Sequence, residues 1–254
     1  MKISLVVTTK NEEGNIGTLL TSLINQEAPL EIVVVDSSST DRTLEIVESF
    51  KERFDELSVY EYESMPGGGK NYGVEKAKGE FVAFIDADCT ASPLWLKSLR
   101  NSASSHEIVV GNTINVSTSK FDTDTTGKIH FYWKGEEVTW PGCNILYRKN
   151  VFQDLGGFDE ELVSAEDIDL NIRAVERGFT LFYDEDAVLY HRMRSDISSL
   201  AKQMFWRGHG RGQIMEKHGD KCEVKRDSLS RWAWLKWILE FIGFLKFKIE
   251  GKRQ

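Results

Sequence analysis

Short apolar, β-branched runs alternate with helical-period stretches through the first half of the chain. Residues 3–8 and 31–35 are apolar enough to be strands buried on both faces. Between them Ile16, Leu19, Leu20 and Leu23 recur at helical spacing, and Leu44, Ile46, Val47 and Phe50 mark a second helix that Ser39 or Thr40 would cap. Residues 57–62 predict a third strand, 70–78 a helix and 81–85 a fourth strand. Strand and helix in alternation with short connections predict an α/β fold, a mostly parallel central sheet flanked by helices. Such sheets bind ligands at the carboxyl ends of their strands. The distinctive polar residues fall at those ends, at 8–13, 36–41 and 86–88.

The second half is more mixed. Residues 108–116 predict a strand, 120–136 a loop-rich excursion and 144–147 a short strand. Ile168, Ile172 and Val175 give residues 165–177 a helical pattern, and strand character returns at 179–183 and 187–190. Residues 197–217 predict a helical region interrupted by Gly208, Gly210 and Gly212, glycines that would let the backbone approach a ligand. Residues 232–249 are apolar and aromatic but broken by Lys236, Glu240, Lys246 and Lys248, too polar for a spanning helix. Trp232, Trp234 and Trp237 beside lysines favour an interfacial position, with a helix docked on the protein's own core or on a partner subunit as the alternative. The expected organisation is one unit over residues 1–220, with halves of about 1–110 and 111–220, then a basic, Trp-rich amphipathic helix over 221–254.

Charge sharpens this division. The net charge of the 254 residues is −8, against a general nucleic-acid binder. Residues 221–254 carry nine Lys/Arg against four Asp/Glu, a net of +5, so the body carries −13. A basic tail on an acidic body suggests contact with an anionic membrane surface. Cys89, Cys143 and Cys222 form no CxxC pair, which supports neither a disulfide framework nor a zinc site. The first residues do not read as a secretory signal, and a cytoplasmic protein, peripheral at the inner membrane face, is the simplest expectation.

Several residue types can carry chemistry. Asp86-Ala87-Asp88 ends a buried strand, where two carboxylates can share a hard divalent cation, Mn²⁺ or Mg²⁺, with phosphate oxygens. Asp36, at another strand end, can accept hydrogen bonds from a base or a ribose. His191 follows the strand at 187–190 and can complete a metal site of carboxylates. Asp167 stands at the start of a helical pattern, where the helix dipole would favour an ionised general base. Arg207 and Arg211, four residues apart, can grip a diphosphate.

The motifs Val6-Val7-Thr8-Thr9-Lys10-Asn11-Glu12-Glu13, Val34-Val35-Asp36-Ser37-Ser38-Ser39-Thr40-Asp41, Gly69-Lys70-Asn71-Tyr72-Gly73, Ala77-Lys78-Gly79-Glu80 and Phe84-Ile85-Asp86-Ala87-Asp88 resemble those of family 2 glycosyltransferases of the GT-A fold. Gly156-Gly157-Phe158-Asp159-Glu160 and Glu166-Asp167-Ile168-Asp169-Leu170 continue the resemblance, which covers roughly residues 3–195. It implies that Thr8, Glu12 and Asp36 contact the nucleoside of a nucleotide-sugar donor and that Lys70 lies near its base or phosphates. It further implies that Asp86 approaches ribose and metal, that Asp88 binds the metal and that the base stands in the Glu166-Asp167 pair. Trp140, Gly142, Cys143, Asn144 and Glu166 fall where the family builds its acceptor pocket. His191 resembles the late histidine ligand of several GT-A enzymes. The Arg207–Arg211 segment resembles the arginine-glycine segment of some lipid-linked members. Lys70 stands where the family usually has Arg, and Ser37-Ser38 follow Asp36 where Asp-Gly-Ser is commoner.

The expected activity is inverting transfer of a sugar, from a UDP-sugar by preference, to a hydroxyl of a glycan or lipid-linked acceptor. A polyprenyl-phosphate sugar synthase is the alternative; its acceptor is already an anion and leaves Asp167 without a role. A nucleotidyltransferase would want a Gly-rich basic loop where Lys10-Asn11-Glu12-Glu13 stand. A non-catalytic scaffold would not need Asp86, Asp88 and Asp167 together.

Overall fold

A computed structural model describes residues 1–116, 129–193, 197–219, 222–226 and 233–250. Four parallel strands build the first half: β1 (Ile3–Thr9), β2 (Leu30–Asp36), β3 (Leu57–Glu61) and β4 (Phe81–Asp86). The helices between them are α1 (Ile16–Leu23), α2 (Thr43–Ser49) and α3 (Pro66–Lys76). The predicted periodicities recur in the burial: Ile16, Leu19, Leu20 and Leu23 are all inaccessible to solvent.

Then follow β5 (Cys89–Ala91), α4 (Trp95–Ala103), β6 (Ile108–Val116), β7 (Ile129–Trp133), β8 (Glu136–Glu137), β9 (Ile145–Arg148), α5 (Lys149–Asp154), α6 (Glu166–Glu176), β10 (Phe182–Arg192), α7 (Ile197–His218), β11 (Glu223–Arg226) and α8 (Ala233–Glu250). The main sheet has eight strands in the order β3-β2-β1-β4-β9-β6-β10-β5. It is parallel except for β9, which runs against β4 and β6, and β5, which runs against β10. Apolar layers cover both faces, one containing Leu5, Val34 and Ile85, the other Val6, Phe84 and Ile172.

Four local expectations change. The two strand runs at 179–183 and 187–190 form the single strand β10, with a shift of register between Asp184 and Val188. Ser39 and Thr40 do not cap α2, whose N-cap is Arg42 with no side-chain cap; Asp41, just before it, accepts the Thr43 N–H at 3.0 Å. The tail is not one helix, because Glu223–Arg226 pairs with β7 to complete a three-stranded sheet, β11-β7-β8. The predicted excursion at 120–136 ends in β7 and β8, while its first residues, to 128, lie outside the described ones.

The glycines of α7 do not interrupt it, and they face protein. A methyl on Gly208 would overlap the Glu240 carbonyl, one on Gly212 the Phe247 ring, and one on Gly243 of α8 the Phe205 carbonyl. These small residues bring the two helix backbones into contact, as at close helix crossings generally. Gly210 faces the Ser164 backbone instead, two residues before α6.

Candidate active site

Parallel strands that end together place three expected residues side by side. Thr8 is level with Asp86 across β1 and β4, and Thr9 with Asp36 across β1 and β2. Asp36 is fully buried, and its carboxylate accepts the Ser39 N–H at 2.7 Å and hydroxyl at 2.5 Å. It therefore shapes its own loop. Glu12 accepts from Asn15 Nδ2 at 2.6 Å, and its own N–H donates to Thr43 Oγ1. The two loops are stitched further by Asn11, whose Oδ1 accepts the Thr40 N–H.

Helix α3 lies across the end of β1 because its inner face is glycine. A methyl on Gly73 would overlap Val6, and one on Gly69 would sit 3.3 Å from Thr8. That closeness delivers Lys70, 5% exposed, into a group of carboxylates. Its ammonium stands 3.2 Å from Glu166 Oε1, 3.9 Å from Asp86 Oδ1 and 5.4 Å from the centre of the Phe158 ring. Burial disfavours the charge, but Asp86, Glu166 and Asp167 together raise the Lys70 pKa above its ordinary value.

Glu166 and Asp167 open α6 after Ala165, which has a left-handed backbone at φ 66°. For a residue with a Cβ this conformation costs about 1–2 kcal/mol. The Asp167 carboxylate accepts the Gly142 N–H at 2.8 Å and the Ile168 N–H at 2.8 Å. Its pKa is pushed up to about 6, first by burial and then by Glu166, with Lys70 and the two N–H groups opposing. Desolvation thus works against the ionised form that the helix dipole was expected to favour, yet a carboxyl near 6 is still ionised at neutral pH. An acid near neutrality is well matched to general-base work.

At the other side of Asp86, His191 on β10 lies opposite Cys89 on β5. Its Nε2 is 3.4 Å from Asp88 Oδ2, and its Nδ1 is 3.1 Å from Asn115 Oδ1. Burial works against the imidazolium, yet Asp88 raises the His191 pKa to about 9. At neutral pH Nε2 thus donates to Asp88, and a cation held by the two would have to displace that proton while Nδ1–H stays on Asn115. Among the described residues no three His, Cys, Asp or Glu groups form a ready-made cage. A carboxylate and an imidazole awaiting phosphate oxygens nevertheless fit Mn²⁺, and a carboxylate completed by substrate phosphates is how Mg²⁺ usually binds.

Other expected residues lie elsewhere. Asn144 is fully buried; it accepts Trp95 Nε1–H at 2.8 Å and donates to the Ala187 carbonyl at 3.2 Å, so it braces the core and does not face an acceptor. Cys143 is buried beside Cys89 in the core beneath Asp88. Trp140 stacks on Tyr183 with centroids 5.1 Å apart. Arg211 pairs with Glu240 of α8, which removes it from diphosphate binding, and Arg207 is exposed to solvent.

One buried ionic group was not anticipated. Asp169, fully buried, meets Arg173 at 2.6 Å, His218 at 2.7 Å and Lys217 at 2.8 Å. Arg173 also donates to the carbonyls of Leu155 and Gly157. Gly156 and Gly157 turn there with φ of 88° and 68°, and Asn71 of α3 holds Phe158 through its N–H and carbonyl. Asp169 thereby ties α7 and the glycine turn to the helix that carries Asp167. The acidic spacing from Asp167 to Asp169 was visible in the sequence; its basic partners, 4 to 49 residues away, were not.

Comparison with known proteins agrees with this fold. The family model described as glycosyl transferase family 2 matches residues 4–156, and that of glycosyl transferase family group 2 matches residues 81–244. Glycosyltransferase AglE of Haloferax volcanii is 27% identical over 96% of this chain and 81% of that protein. TarS of Staphylococcus aureus, a poly(ribitol-phosphate) beta-N-acetylglucosaminyltransferase, is 31% identical over 77% of this chain but only 36% of its own length. Its 1–349 portion, solved with UDP-GlcNAc, aligns at a TM-score of 0.64 and 25% identity, covering 94% of this chain and 70% of that one. Mannosyltransferase PcManGT of Pyrobaculum calidifontis, solved with GDP-Man and Mn²⁺, shares the fold at a TM-score of 0.68 and 20% identity, with 96% and 69% covered. The chain belongs to glycosyl transferase family 2 and is a glycosyltransferase of the GT-A fold.

Proposed function

We propose that the chain transfers a sugar from a nucleoside-diphosphate donor, a UDP-sugar by preference, to a hydroxyl acceptor in one displacement that inverts the anomeric centre. The observation that carries this reading is the placement of Asp167, half-buried, held by two backbone N–H groups and pushed up to about 6. Such a carboxylate is ionised at neutral pH yet basic enough to take the acceptor proton as the new bond forms. A phosphate acceptor would need no base.

Asp88 and His191 would hold a divalent cation, Mn²⁺ or Mg²⁺, with Asp86 near the donor ribose. Bound there, the cation would neutralise the departing diphosphate. Thr8, Glu12 and Asp36 border the nucleoside side of the strand ends. Lys70 keeps three carboxylates in one small volume, and Gly142 fixes the base against the loop that starts at Trp140. The solved relatives bind UDP-GlcNAc or GDP-Man with Mn²⁺, which supports the donor class. The acceptor half is proposed as residues 111–220, facing a glycan or a lipid-linked glycan.

Calorimetric titration with UDP, GDP, dTDP and CDP, with and without Mn²⁺, tests the donor. Metal-dependent binding of one diphosphate is expected, and it should vanish in Asp88→Ala. Binding that ignores the metal would sink the cation assignment. Normal turnover by Asp167→Asn would sink the hydroxyl-acceptor reading.

A further inference from the structure

Helix α8 has two unlike faces. The one toward α7 carries Gly243, Phe247 and Glu240, the last paired with Arg211. The opposite one carries Ile238, Phe241, Ile242, Leu245 and Ile249, each between 42% and 55% exposed. At about 100° per residue these five side chains fall in an arc of about 100°, with Lys246 and Lys248 roughly 80° to either side of its middle. Glu240 projects from the far side of the helix, so no acidic side chain enters the arc.

The lysines lie along apolar surface. Lys246 Nζ is 4.8 Å from the Trp206 ring centre and 5.5 Å from that of Phe205, and Lys248 Nζ is 5.7 Å from that of Phe244. Trp206 on α7 is itself exposed beside Lys246. An apolar stripe edged by long cationic side chains, with an indole at its border, matches the layered chemistry of a bilayer surface: acyl chains in the middle, anionic headgroups at the rims. No described helix is long and apolar enough to cross a membrane. The net +5 of residues 221–254 against −13 elsewhere in the sequence suits contact with an anionic surface.

We infer that α8 lies in the plane of an anionic lipid surface, with Ile238, Phe241, Ile242, Leu245 and Ile249 among the acyl chains and Lys246 and Lys248 at the headgroups. Because α7 carries α8 through the Gly208–Glu240 and Gly243–Phe205 contacts, and Gly210 of α7 abuts Ser164 just before α6, the base-bearing helix is held at a fixed height above that surface. The inference stands independently of which sugar is transferred.

The test is co-sedimentation of the full chain with vesicles of phosphatidylglycerol and phosphatidylcholine, set against phosphatidylcholine alone. Binding to the anionic vesicles is expected, falling by about ten-fold or more in Phe241→Ser/Ile242→Ser and in Lys246→Glu/Lys248→Glu. Melting temperature and nucleotide binding of each variant, expected to match wild type, separate lost contact from lost fold. Equal binding by wild type and both variants would overturn the inference, as would equal binding to neutral vesicles. A wild-type dimer without vesicle affinity, broken by Phe241→Ser/Ile242→Ser, would also overturn it and assign the face to a second copy of the chain.

Discussion

The Asp167 carboxylate and the Gly142 amide are joined at 2.8 Å across 25 residues of sequence, so the start of α6 and the loop beginning at Trp140 keep one geometry. The first prediction follows from that pair. With an Asp167 pKa near 6, kcat/KM should rise with pH through about 6 and then level as the base becomes ionised. In Asp167→Asn this limb should disappear, with turnover lower by about 10²–10⁴-fold and donor affinity retained. A pH–rate profile beside calorimetric donor binding checks both.

Removing the cation at the centre should move that limb. Lys70 lowers the Asp167 pKa, so Lys70→Met should shift the rise in kcat/KM to higher pH. The same change leaves Asp86, Glu166 and Asp167 without their shared counter-charge. Breaking a buried ionic group in this way costs about 3–5 kcal/mol, readable by urea unfolding at neutral pH.

Asp169 predicts a different pH dependence. Burial works against its charge, but His218, Lys217 and Arg173 outweigh it and hold its carboxyl well below the ordinary 3.8. A depressed carboxyl stabilises the fold above its unfolded pKa and loses that contribution as pH falls toward the folded one. Asp169→Asn should therefore cost about 3–5 kcal/mol at neutral pH. The gap from wild type should narrow only in acid below 3.8, as measured by denaturant melts across pH.

The glycine contact of α7 and α8 predicts a loss without any polar change. Gly208→Ala and Gly243→Ala each place a methyl on the backbone of the facing helix. Overpacking of this kind costs about 1–3 kcal/mol and should lower the melting temperature. Gly210→Ala should also reduce turnover, because its methyl would press on Ser164 two residues ahead of Glu166. Parallel melting and rate measurements distinguish the two classes of glycine.

What was legible in the sequence was what short-range periodicity and strand ends determine. Thr8, Asp36 and Asp86 close neighbouring strands because their apolar runs end together, and Ile168, Ile172 and Val175 announce α6. Side-chain direction at a loop was not legible. Asn144 follows Gly142 by two residues yet points into the core to meet Trp95, 49 residues earlier. Gly208 and Gly212 have the same composition as a ligand-binding loop, and only the partner helix shows that they serve packing. The β11–β7 pairing joins segments some 90 residues apart, which no local pattern encodes. The raised Asp167 pKa was not legible either, because desolvation, its larger cause, is a property of the assembled fold.

The reversed strand β9 has a consequence for how the protein can vary. Every parallel neighbour delivers its functional residues on leaving the sheet, whereas β9 delivers Trp140 and Gly142 on entering it. Both ends meet at the same rim, yet they belong to different connections. Residues 138–143 therefore bring Trp140 and Gly142 to that rim on a connection separate from those that leave β1, β2 and β4. On the reading proposed above, one rim thus takes its donor side from where strands end and its acceptor side from where a strand begins.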